Sequence, residues 1–220
     1  MKKPVTTRRQ KAIRWCATAM VLLAAVLVLL PRNLTLEMVH ERAMEDLLAA
    51  PTETLYQNVT PFGDWLVLAQ SRDAVCLGVY QKAGWMNWRC KRVLAVDREE
   101  GRPFAAGHYY EREYVSGFGR ENGEPTSRYD YFYGCVWDPA VEKLEIDLQM
   151  MDREEQWYGQ TICLNVANLE TDSRGERWFF VPQGQLPPEI VSWCSSVTAY
   201  DSQGKVLVKR WMENQIWEEP

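Results

Sequence analysis

The chain reads as a mainly β protein: an amino-terminal transmembrane helix and a short amphipathic helix, then an antiparallel β-sandwich-like domain. Three observations carry this. Sixteen uncharged residues, Trp15 to Leu30, follow a tail that holds Lys2, Lys3, Arg8, Arg9, Lys11 and Arg14 and no acid. Residues 36–50 place apolar side chains at helical spacing. After residue 60, short stretches rich in β-branched and aromatic residues alternate with turn signals.

The uncharged run would rise about 24 Å as a helix, a little short of a hydrocarbon core of about 30 Å. Ile13 lengthens it, Arg14 and Arg32 can snorkel to the two interfaces, and Trp15 suits the headgroup level. The anchor is therefore expected over 13–31, with a cytoplasmic tail over 1–12 and everything after it on the far side. A cleaved signal peptide would need small residues at its end, whereas this run closes Val28-Leu29-Leu30-Pro31-Arg32.

In the next segment, Leu36, Val39, Ala43 and Leu47 share a face, flanked by Met44 and Leu48. Asn33 or Thr35 can cap the start, and Pro51 stops the helix. The segment 34–50 is expected as a juxtamembrane helix that either dimerises or packs as a stalk on the domain behind it; its acidic residues Glu37, Glu41, Glu45 and Asp46 make adhesion to the membrane surface the weakest reading.

Six of the 25 basic residues lie in the tail, which leaves 19 against 30 acidic ones, a formal −11, for the outer part. That balance argues against nucleic acid as a partner. Cys76, Cys90, Cys135, Cys163 and Cys194 lie outside the apolar run, and an exported domain can oxidise them. With no CxxC and only two histidines, His40 and His108, neither a metal site nor a cofactor is expected.

Strands are expected over 65–69, 75–80, 88–96, 108–115, 129–137, 141–150, 161–167, 177–181, 197–200 and 206–211. They place the extracytoplasmic β domain at 60–217. Leu144, Ile146, Leu148 and Met150 alternate with Glu145, Asp147 and Gln149, the pattern of a strand with one wet face. Residues 116–127 (SGFGRENGEPTS) read as a polar loop whose glycine spacing is wrong for phosphate binding.

Three pieces of the carboxyl-terminal half occur in a familiar order: Tyr133-Gly134-Cys135-Val136 leading into residues 138–146 (DPAVEKLEI), Trp178-Phe179-Phe180-Val181-Pro182, and residues 199–206 (AYDSQGKV). This order resembles a group of uncharacterised membrane-anchored exported proteins of Gram-positive bacteria, over the last 90 or so residues. The resemblance implies location and an all-β domain; it brings no activity and no site residues.

Aromatic side chains give the main functional hint. Trp85, Trp88, Tyr109 and Tyr110 are the candidate ligand-binding residues, because exposed aromatics on a rigid sheet can stack on sugar rings or anchor a protein. Tyr129, Tyr131 and Tyr133 share one strand face and are expected in the core. Glu111 with Glu113, and Glu145 with Asp147, are i, i+2 carboxylate pairs on one strand face, the spacing that glycan hydrolysis or a merely solvated face would both show. His108 has no nucleophile marked beside it and reads as a strand-start residue. Cys135 and Cys163 read as buried thiols. A hairpin centred on residue 83 would oppose Cys76 and Cys90 and permit a disulfide; a turn one residue different would separate them.

The expected function is a single-pass anchored extracytoplasmic β domain that serves as a non-enzymatic binding, assembly or sensing module at the cell surface. Its partners would be the membrane, through its own helix, and a membrane protein or cell-wall glycan. The alternative is a cell-wall carbohydrate binder or glycan-processing enzyme that uses aromatics and carboxylates. Convergence of both residue types on one concave pocket would favour the alternative.

Overall fold

The structure, a computed structural model, describes residues 8–29, 34–47, 51–84, 87–114, 125–187, 190–212 and 216–219. Helix α1 covers Arg8–Leu29. Among the described residues no helix is long and apolar enough to cross a membrane. Helix α2 covers Leu36–Asp46, shorter than the sequence suggests, with residues 48–50 outside the description. Thr35 caps it: its hydroxyl oxygen accepts from the Met38 N–H at 3.2 Å, satisfying one of the orphan donors of the first turn.

Three antiparallel sheets follow. The first is a meander of β1 (Glu53–Val59), β2 (Trp65–Gln70), β3 (Ala74–Lys82) and β4 (Trp88–Asp97), in that order. The next strands in the chain are β5 (Phe104–Tyr114), β6 (Pro125–Val136), β7 (Lys143–Met151) and β8 (Trp157–Asn165), then the short β9 (Glu170–Thr171) and β10 (Arg177–Leu186). The last are β11 (Val191–Tyr200), β12 (Val206–Trp211) and β13 (Ile216–Glu218). The second sheet runs β5-β6-β10-β9 and the third β13-β12-β11-β7-β8. Strand β1 begins before residue 60, where the sequence places the domain's start; its side chains are mostly exposed, so it carries little apolar signal.

The layers stack as α2, first sheet, second sheet, third sheet. Leu36, Val39, Ala43 and Met44 of α2 pack on Val67, Cys76 and Tyr80. The opposite face of the first sheet, with Leu66, Leu68, Leu77 and Val79, packs on Tyr131, Tyr133 and Cys135. The other face of the second sheet, with Phe104, Phe132 and Phe179, packs on Leu144, Ile146, Leu148 and Val197. Strands β2 and β3 and the part of β6 over residues 131–136 are thus covered on both faces, which is why they read as continuous apolar runs rather than alternating ones. Strand β7 does alternate, with Leu144, Ile146, Leu148 and Met150 inward as expected.

Two cysteine expectations are overturned. Cys76 lies opposite Ala95 and Cys90 opposite Tyr80, so the disulfide does not form and both thiols are free. The connection is longer than a hairpin centred on residue 83: the Ala83 N–H donates to the Asn87 carbonyl at 2.8 Å, and a bulge between Val79 and Tyr80 shifts the register again. Cys163 is exposed rather than buried. Its neighbours Ile162 and Leu164 pack inward, so the twofold strand period sends Cys163 to the wet face. Cys135 is buried, as expected.

Candidate functional site

The β1–β2 hairpin closes through Thr60-Pro61-Phe62-Gly63-Asp64. The Thr60 N–H donates to the Asp64 carbonyl at 2.7 Å, and the Thr60 hydroxyl oxygen accepts from the N–H groups of Phe62 and Asp64 at 3.3 and 3.2 Å. Gly63 has φ +83°, a left-handed conformation that favours glycine. This tight turn carries Phe62 and Asp64 to the second sheet, where Phe62 meets Tyr129 of β6 edge-on at 5.2 Å.

Between that turn and the edge strands β4 and β5 lies a cleft of about 620 Å³. Phe62, Asp64, Lys91, Arg92, Glu111 and Arg112 line it, together with Tyr109 and Tyr110. Because β5 is an edge strand, side chains from both of its faces reach the cleft. Tyr109 is buried and its hydroxyl donates to Glu111 Oε1 at 3.3 Å. Tyr110 is 45% exposed, and the Arg112 and Arg128 guanidinium groups lie over its ring at 5.3 and 4.2 Å.

Glu111 is only 7% exposed, and its Oε2 has no hydrogen-bond partner among the described residues; the same holds for the buried Tyr131 hydroxyl and Arg112 Nε. Burial pushes the Glu111 carboxyl up to about 7, and the charge of Asp64 adds to this, while the Thr60 and Tyr109 hydroxyls oppose it. Asp64 is itself buried and forms an ion pair with Lys91. The cleft therefore joins a carboxyl that holds its proton near neutrality to a second carboxylate neutralised by a lysine.

A second polar cluster sits between the second and third sheets. Arg128, 1% exposed, donates from Nε and Nη2 to Asp130 Oδ1 at 3.0 and 2.8 Å. The Ser192 hydroxyl also donates to Asp130, and His108 Nε2 lies 3.0 Å from Oδ1. Burial alone would raise the Asp130 carboxyl, but the bonds from His108, Arg128 and Ser192 hold it below its ordinary value. His108 stacks on Phe132 at 4.7 Å in the middle of β5, not at a strand start. Among the described residues no serine or cysteine hydrogen-bonds it, so the cluster is a satisfied internal network.

Of the four aromatics singled out from sequence, Tyr109 and Tyr110 meet in the cleft. Trp88 does not: it packs edge-on against Trp65 at 5.6 Å, on the α2 side of the first sheet. Trp85 lies outside the described residues. Tyr131 and Tyr133 are core residues and Tyr129 is half-buried beside them, as their shared strand face predicts. Glu111 joins Asp64 rather than Glu113, whose side chain is outside the description. Glu145 and Asp147 stay on the wet face of β7, where Glu145 accepts from Lys143 and Tyr200, and Asp147 from Thr161 and Ser196. Sequence reasoning missed Phe62, Asp64, Lys91, Arg92 and Arg112; the one signal for them was the Pro61-Phe62-Gly63-Asp64 turn. No group of three metal-ligating side chains is present among the described residues.

No protein-family model, curated protein or solved structure matches the chain.

Proposed function

We propose that the chain is a single-pass membrane-anchored protein whose extracytoplasmic β domain binds a saccharide in the cleft between its first two sheets, as a binding or sensing module at the cell surface. The observation that carries this reading is the convergence of Phe62, Tyr109 and Tyr110 with the Glu111 carboxyl in one cleft. Phe62 and the exposed part of Tyr110 supply apolar contact area and the carboxyl supplies direction, the usual division of labour in a polar-ligand site. The anchor rests on the uncharged run Trp15–Leu30 and the basic tail before it. The described apolar side chains of α1, such as Trp15, Met20 and Leu22, are exposed, as a lipid-facing helix requires.

A glycan-processing enzyme is the second reading, and one observation favours it: a carboxyl held protonated near neutrality beside a second carboxylate. Binding is preferred because Asp64 is buried and occupied by Lys91, which removes it from the role of a free base or nucleophile across a sugar bond. The test uses detergent-solubilised full-length protein on glycan arrays and insoluble peptidoglycan. Retention that is lost in Tyr110→Ala supports the binding reading. No retention on either overturns it, and bond cleavage abolished by Glu111→Gln replaces it with the enzymatic one.

A further inference from the structure

We infer that the cleft selects an anionic saccharide, one that carries a carboxylate or phosphate group, with Lys91, Arg92 and Arg112 meeting the acid group and Glu111 donating a hydrogen bond to an adjacent ligand oxygen. This rests on the saccharide-binding reading and names the class of ligand. Three cations line the cleft, and Asp64 neutralises only Lys91. The surplus positive charge is local: the chain carries a formal −5, and its outer part is more acidic still. A basic concavity on an acidic domain attracts anions that the rest of the surface repels.

Geometry on the β5 side points the same way. Arg112 Nε is buried without a partner among the described residues, and the guanidinium is oriented by the Tyr110 ring beneath it. A buried N–H donor left unmet is costly, and an anionic oxygen meets it best. On the other face of β5, Glu111 Oε2 likewise has no geometric hydrogen-bond partner among the described residues. In its protonated form this oxygen is a donor, so an acid group of the ligand and Glu111 do not repel. The groups that face Glu111 are Asp64 and Thr60 from the β1–β2 turn, Tyr109 on its own strand, and Tyr131 from β6; Lys91 and Arg92 approach from β4. An anion bound next to Glu111 favours its protonated form, so binding takes up a proton and weakens as pH rises through neutrality.

Isothermal titration of the full-length protein in non-ionic detergent tests this with three probes: trigalacturonate, glucose 1-phosphate and cellotriose, at pH 6 and pH 8. At pH 6 one of the charged probes should bind at least about tenfold more tightly than cellotriose; whichever does so identifies carboxylate or phosphate as the acid group. Arg92→Glu, an exposed substitution that leaves the three cores intact, should remove most of that preference. Wild-type affinity for the charged probe should fall from pH 6 to pH 8, and Glu111→Gln, which keeps a donor, should flatten the fall. Cellotriose binding as tightly as the charged probes overturns this inference and leaves the saccharide reading standing. Binding of none of the three overturns both, and charged-probe binding indifferent to Arg92→Glu shows that the anion sits elsewhere.

Discussion

Glu111 keeps its proton to about pH 7 because its carboxyl has lost its water and faces Asp64. The unfolded carboxyl titrates near its ordinary value of 4.5, so between there and 7 the folded protein holds a proton that the unfolded chain has released. Stability therefore falls as pH rises across that window, by about 3 kcal/mol at most. Urea unfolding at pH 5 and pH 8 should show a smaller drop for Glu111→Gln than for wild type; equal pH profiles for the two would refute the assignment. The thiols make a second prediction at this scale. Burial pushes Cys76 up to about 11 and Cys135 and Cys194 up to about 12, whereas Cys90 and Cys163 are exposed. A bulky maleimide should label Cys90 and Cys163 rapidly in native protein and leave the other three of the β domain unmodified until it unfolds. What the sequence conveyed here was uneven. Tyr131 and Tyr133 were legible because a twofold period names the strand face. Cys163 is flanked by the apolar Ile162 and Leu164, and the same twofold period that turns them inward turns it outward. The partner of Glu111 was invisible, since Asp64 reaches it from another sheet, across a separation that no local pattern encodes.

Among the elements, α2 is the one whose removal would expose a sheet. Met44 is fully buried against the first sheet, and truncation there leaves a cavity, so Met44→Ala should cost about 2–5 kcal/mol by chemical denaturation. His40 on the same helix is buried with Nδ1 2.8 Å from the Tyr80 hydroxyl, and burial lowers its pKa. The unfolded chain then binds the proton more readily, so the hold of α2 on the sheet weakens as pH falls below about 6.5. Protection factors in α2, taken relative to the slower intrinsic exchange at low pH, should fall on acidification before those in β6 do; a simultaneous fall would count against this. In β6, a Cβ at Gly134 would stand 2.1 Å from the Ala105 carbonyl oxygen and 2.6 Å from the Phe179 ring. Neither neighbour has room to withdraw, and Gly134→Ala should destabilise by about 3 kcal/mol or prevent folding. Element identity was largely readable from composition. Register was not: the β3–β4 hairpin carries a bulge and a longer connection, and each displaces the pairing that a simple turn would set.

At the scale of the whole molecule, the sequence led to a two-faced sandwich and the chain builds three stacked sheets under a helix. The difference lies in β2, β3 and the second half of β6, residues 131–136, whose apolar runs fit a strand buried on both sides but do not say what covers each side. The proposed anchor gives a direct prediction: the mass of protein extracted from membranes should include residues 1–24, and a mature amino terminus beyond residue 24 would reject it. The double burial of the middle sheet also bears on how this sequence can change over time. Over residues 131–136 the positions of β6 answer to two separate cores, Tyr131, Tyr133 and Cys135 to the first sheet and Phe132 and Val136 to the third. A substitution there can be accommodated only by a matching change in a different layer, and two neighbouring substitutions need matches in two layers at once. Strand β8, exposed along most of its length, faces no such requirement. Sequence drift should therefore be slow at both parities of β6, slow at only one parity of β7, and fast along β8, leaving the central layer as the part of the protein least free to vary.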